Sequence, residues 1–151
     1  MSRRFDTVVL GGTAILPHYG AVRLDVGIRG GRIATLADDL RASDADVVVD
    51  ARGLHVVPGA VDSHFHVGIY RPHAEDARSE SASAVSGGVT SLLSYFRTGQ
   101  HYLNKSGPYQ DIYPEVLRLS EGNFHCDYGY HVAPMLNAHV AEIPWLVGQG
   151  V

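Results

Sequence analysis

The chain has 151 residues, and its 12 Lys and Arg against 16 Asp and Glu give a net charge of −4, which speaks against a nucleic-acid or anionic-membrane partner. A hydrophobic share of 45% with 19% charged residues is that of a globular domain, not a disordered or fibrous chain, and no window reaches the roughly eighteen uninterrupted apolar residues of a membrane span. One cysteine, Cys126, excludes an internal disulfide and fits a reducing compartment.

The start carries Arg3 and Arg4 but no clean apolar stretch, because Asp6, Gly11 and Gly12 interrupt it, so a cytoplasmic protein is expected and the 104–106 sequon stays unmodified. Residues 7–10 read as a strand, with Gly11-Gly12 as a turn or bulge. Residues 22–28 and 32–36 alternate apolar and polar around Gly30-Gly31, the pattern of a two-residue hairpin whose turn needs positive φ. Residues 46–50 and 54–57 add two more strands. Residues 1–56 therefore read as part of a small all-β domain.

From residue 57 onward, helices and strands alternate. The Ala- and Ser-rich 76–86 suits a helix lying close to a sheet, and 89–96 is an apolar strand of the kind covered on both faces. Ile112, Val116 and Leu119 give the next helix its buried stripe, with Pro114 expected in its first turn. Residues 124–132 form a strand, with Cys126 as a small buried side chain on it. A helical piece lies within 137–149, Gly150 caps it, and Val151 is expected to begin the next strand. Alternation of this kind implies a parallel sheet, and 57–151 read as the first strands and helices of an incomplete (β/α)₈ barrel, since a whole barrel takes roughly 250 residues.

The chemistry concentrates at Val57-Pro58-Gly59-Ala60-Val61-Asp62-Ser63-His64-Phe65-His66. On a strand, alternate residues share a face, which would set His64, His66 and Asp62 side by side. Neutral imidazole is a preferred zinc donor, so the histidines make half of a metal site. A shuffle of nine histidines in 151 residues yields about 0.5 His-x-His pairs by chance, so the context matters more than the pair. The apolar run ahead of it and the polar loop behind it supply that context.

This stretch resembles the metal-binding signature of the amidohydrolase superfamily, and more narrowly its hydantoinase, dihydropyrimidinase, allantoinase and dihydroorotase branch. Val26-Gly27-Ile28-Arg29-Gly30-Gly31-Arg32-Ile33, Ser86-Gly87-Gly88-Val89-Thr90 and Asp127-Tyr128-Gly129-Tyr130-His131 extend the resemblance over most of the chain. It implies an α/β fold: the N-terminal part of a barrel hydrolase, preceded by strands of a small β-sandwich. It also implies hydrolysis of a cyclic ureide or imide by a hydroxide bridging two zinc ions. His64 and His66 would be ligands of the more buried metal, and Asp62 a supporting acceptor. The remaining ligands and the catalytic aspartate, which the resemblance places downstream of Val151, are not assignable in this chain, so alone it is expected to be inactive. Tyr70, Arg71, His73 and His131 are candidates for substrate contact. Branch members that bind an acidic ring carry an arginine two residues after the second histidine, where this chain has Gly68. The resemblance further implies a homo-oligomer, dimer or tetramer, with a small-molecule partner only. Two alternatives stand beside it: a mononuclear-zinc nucleobase deaminase of the same superfamily, and a non-catalytic dihydropyrimidinase-like scaffold.

Overall fold

The computed structural model describes residues 4–151, which form two compact units, one ending at Pro58 and one running from Gly59. The first is all-β. Its strands are β1 (Phe5–Leu10), β2 (Thr13–Leu16), β3 (Gly20–Arg23), β4 (Asp25–Arg29), β5 (Arg32–Ala37), β6 (Ala45–Asp50) and β7 (His55–Val56), with a 3₁₀ turn at Ala42–Asp44. They make a four-stranded sheet, β5-β4-β1-β6, and a three-stranded one, β3-β2-β7. The expected hairpin is present: Arg29 pairs with Arg32, and Gly30 and Gly31 both take positive φ, +58° and +71°. The single strand expected over 22–28 is instead split between β3 and β4, which belong to different sheets. Asp25, at the start of β4, is buried and binds locally: its Oδ1 accepts the Gly11 N–H at 2.8 Å and an Arg23 guanidinium N–H at 3.1 Å.

The core of this unit gathers Phe5, Val8 and Ala45, with Leu10 and Leu40 against them. Gly27 is required beside it, since a Cβ there would lie 2.7 Å from the Phe5 ring.

The second unit is a parallel sheet in the order β10-β9-β8, built from β8 (Ala60–Phe65), β9 (Val89–Phe96) and β10 (Asp127–Val132). Its helices are α1 (His73–Ser86), α2 (Tyr109–Ser120), α3 (Asn137–Val140) and α4 (Ile143–Gly148). The 137–149 piece is thus two short helices, with Pro144 in the first turn of α4, where a missing N–H costs nothing. One face of the sheet is covered. Phe96 and Tyr130 pack with Tyr109, Ile112, Tyr113 and Val116 of α2 and with Leu146 of α4. Burial among these rings pushes the Tyr113 phenol up to about 12.

Two expectations for this unit are corrected. Pro114 lies inside α2 and not in its first turn, because the helix begins at Tyr109. The earlier start is fixed by Glu142, a residue distant in sequence, whose carboxylate accepts the N–H groups of Tyr109 and Gln110 at 3.0 Å each. The strand expected over 124–132 begins only at Asp127, so Cys126 precedes β10 and is half-buried, its thiol pushed up by burial and by Asp127. Gly150 caps α4 as expected, with Val151 after it. Gly150 takes φ +89° and its N–H donates to the Val147 carbonyl at 3.1 Å, while the Val151 N–H donates to the Leu146 carbonyl at 3.2 Å. That pair of bonds satisfies carbonyls the helix end would leave open, and it turns the half-buried Val151 back onto the cluster that holds Leu146.

The three parallel strands do not by themselves close a barrel. No helix among the described residues is long and apolar enough to cross a membrane.

Candidate metal-binding site

His64 and His66 stand at the C-terminal end of β8, the end where parallel α/β sheets carry their sites. β8 is not regular there. Asp62 pairs with Leu92 and Phe65 with Ser94, so Ser63 and His64 stand opposite Leu93 alone. This bulge corrects the expectation that Asp62 shares the histidines' face. Asp62 and Phe65 align with the buried Leu92 and Ser94, while the extra residue between them puts His64 out of that alignment. Asp62 acts through the backbone: its Oδ1 accepts the His64 N–H at 3.0 Å, which secures the bulge.

The Nε2 atoms of His64 and His66 converge to 3.1 Å, with the rings edge to face at 4.9 Å. Two nitrogens at that separation fit a shared zinc. With Zn–N bonds of about 2.0–2.1 Å they subtend roughly 100°, close to the tetrahedral angle. Among the described residues, no group of three or more His, Cys, Asp or Glu gathers in a way that could hold a metal. Partial burial, reinforced by the adjacent His64, pushes the His66 imidazole below its ordinary value, the direction that favours the neutral form.

The far side of His66 is held by an aromatic wall. Its Nδ1 lies 3.0 Å from the Tyr102 hydroxyl, and its ring packs edge-on against Tyr95 at 5.6 Å. Tyr102 comes from the loop after β9, 36 residues away in sequence. No local pattern in the sequence could have linked Tyr102 to His66.

The remaining candidates separate. Tyr70 and Arg71 line a cleft of about 250 Å³ together with His66, Ile69, Asp76 and Glu80. That is room for a single small ring and less than the roughly 300 Å³ at which drug-sized pockets begin. Tyr70 is 92% exposed, and Arg71 reaches Ser79 Oγ at 3.4 Å. His131 is exposed and its Nε2 donates to the Ser63 carbonyl at 3.2 Å, beside the bulge. His73 lies elsewhere. It is buried at the start of α1, with Nε2 at 3.1 Å from Ser120 Oγ and 2.9 Å from the Tyr130 hydroxyl, and with Nδ1 unpartnered. The loop between His66 and α1 is anchored by Asp76, whose Oδ2 accepts the Gly68 N–H at 2.8 Å.

No protein-family model matches the chain. An allantoinase of Escherichia coli (strain SMS-3-5 / SECEC) is 40% identical over 90 residues, covering 59% of this chain and 19% of the relative. The aligned part thus spans about a fifth of the length of the curated relatives it matches. A crystal structure of a D-hydantoinase superposes with a TM-score of 0.77 at 23% identity, over 95% of this chain and 31% of that one. The L-hydantoinase (dihydropyrimidinase) from Arthrobacter aurescens gives 0.76 at 21% identity, over 96% and 31%. At these identities the structures establish a shared fold.

Proposed function

The allantoinase relatives and the hydantoinase-like fold indicate the amidohydrolase superfamily, and from that premise we propose that this chain is part of a zinc-dependent hydrolase of cyclic amide C–N bonds. The observation that carries the reading is the convergence of two Nε2 atoms to 3.1 Å at the C-terminal end of a parallel strand. His64 and His66 hold the metal, and further ligands complete a binuclear site. When bound, zinc supplies Lewis-acid polarisation of an amide carbonyl and activates water near neutral pH.

The chain's own residues orient the substrate. Tyr70 and Arg71 border the cleft beside His66, where a phenol and a guanidinium can donate to the carbonyl oxygens of a ureide ring. His131 supports the bulge from the same sheet through the Ser63 carbonyl and extends the polar rim. Asp62 keeps the backbone of His64 fixed. The active species is an oligomer of the completed enzyme in the cytoplasm, and the chain by itself does not turn over substrate, since two nitrogens are half of zinc's usual ligand set.

The test is zinc content and hydrolysis of allantoin, hydantoin and dihydrouracil in the completed enzyme and its His64→Ala variant. Loss of most of the zinc together with all turnover is the expected result. Full zinc occupancy in the variant would reduce the pair to a structural contact.

A further inference from the structure

The loop that follows β9 carries three non-glycine residues in the left-handed region: His101 at φ +71°, Tyr102 at +58° and Asn104 at +53°. Asn and His are among the side chains that accept this region, but a bulky aromatic is among the least tolerated there. The surroundings impose the conformation. Gly99 N–H donates to the Lys105 carbonyl at 2.7 Å, Asn104 N–H to the His101 carbonyl at 3.0 Å, and His101 N–H to Asn104 Oδ1 at 2.9 Å. The Tyr102 side chain is in turn fixed in place. It is 8% exposed, edge-on to Phe96 at 5.7 Å, beside Tyr95 at 6.1 Å, with the Arg97 guanidinium 5.8 Å above its ring. All of this brings one polar atom, the phenol oxygen, to 3.0 Å from Nδ1 of His66.

We propose that Tyr102 is a positioning residue for the histidine pair, its phenol oxygen accepting the Nδ1 proton of His66 so that the Nε2 lone pair is aimed at the point shared with His64. This rests on the metal-binding reading above. A neutral imidazole that coordinates through Nε2 has its proton on Nδ1, and histidine ligands characteristically give that proton to an oxygen which fixes ring and tautomer. Tyr102 fills that role from a different strand's loop, while the carboxylate of Asp62 is engaged with backbone. The strained loop is thereby accounted for: a relaxed backbone would not deliver the hydroxyl.

Tyr102→Phe removes the oxygen and keeps the ring that packs against Phe96 and Tyr95. In the completed enzyme the variant is expected to raise the Kd for zinc about 10- to 100-fold. In metal-free protein, nitrogen NMR of the imidazoles should show both ring nitrogens of His66 shifting, while those of the buried His73 stay in place. A zinc Kd equal to the wild type's, or His66 nitrogens that do not move, would overturn the proposal. A wild-type enzyme that binds no zinc would sink the proposed function instead, and the metal-free His66 signals would still decide the role of Tyr102.

Discussion

Asp76 offers the sharpest test of how the loop after His66 is held. It is 5% exposed, and its Oδ2 accepts the N–H of Gly68, a buried residue at φ +80° two positions after His66. Asp76→Ala strips the acceptor from a buried donor, which costs about 1–3 kcal/mol for the orphaned N–H and more where the lost partner was charged. The expected destabilisation is about 2–3 kcal/mol. Asp76→Asn keeps an oxygen in place and loses only the charge, for about 1 kcal/mol. In a unit of this size each kcal/mol moves Tm by about 4–8 °C, so the alanine variant should melt about 10–20 °C lower and the asparagine variant about 5 °C lower. Amide hydrogen exchange localises the effect, because the Gly68 N–H should exchange roughly 30- to 150-fold faster in Asp76→Ala if the loop opens by itself. An alanine variant within about 0.5 kcal/mol of the wild type would refute the reasoning, since the anchor would then carry no charge-assisted bond, and an asparagine variant as unstable as the alanine one would refute the share assigned to the retained oxygen.

Two further outcomes follow from buried groups. Burial holds the His73 imidazole below its ordinary value, and the nearby Asp76 charge offsets only part of this, so the folded state favours neutral His73. That contribution is complete above the ordinary histidine pKa of about 6.5 and is lost as pH falls below it, so Tm should drop between about pH 7.5 and 5.5, and more steeply in the wild type than in His73→Gln; equal slopes would exclude His73 as the source. Gly27→Ala in the β unit sets a Cβ 2.7 Å from the Phe5 ring and should destabilise by about 1–3 kcal/mol in denaturant titration, whereas an unchanged midpoint would mean that Phe5 has room to move.

Elements whose signal is local could be read from the residues alone. Gly30-Gly31 is legible as a primed turn because only glycine takes positive φ in succession without strain, and the hairpin forms there. The 89–96 strand was legible in full from its apolar run. The His-x-His pair was legible as a pair because side-chain alternation on a strand is a property of the backbone. Contacts between distant residues were not written in any local pattern. The bulge that separates Asp62 from the histidines depends on how β8 registers against β9, and strand register is set by the partner. Glu142 starts α2 from 33 residues away, overriding the expectation built on Pro114. Gly150 was legible as a cap, but the packing of the apolar Val151 onto the cluster that holds Leu146 was not. His73 was a candidate for substrate contact as a loop histidine, but helix packing buries it against Ser120 and Tyr130. Tyr102 reaches His66 only because a left-handed loop, unfavourable on local grounds, is over-determined by the aromatic packing around it. Local backbone preference wrote the strands and turns; tertiary packing, which can outweigh local strain, decided which side chains meet at the end of β8.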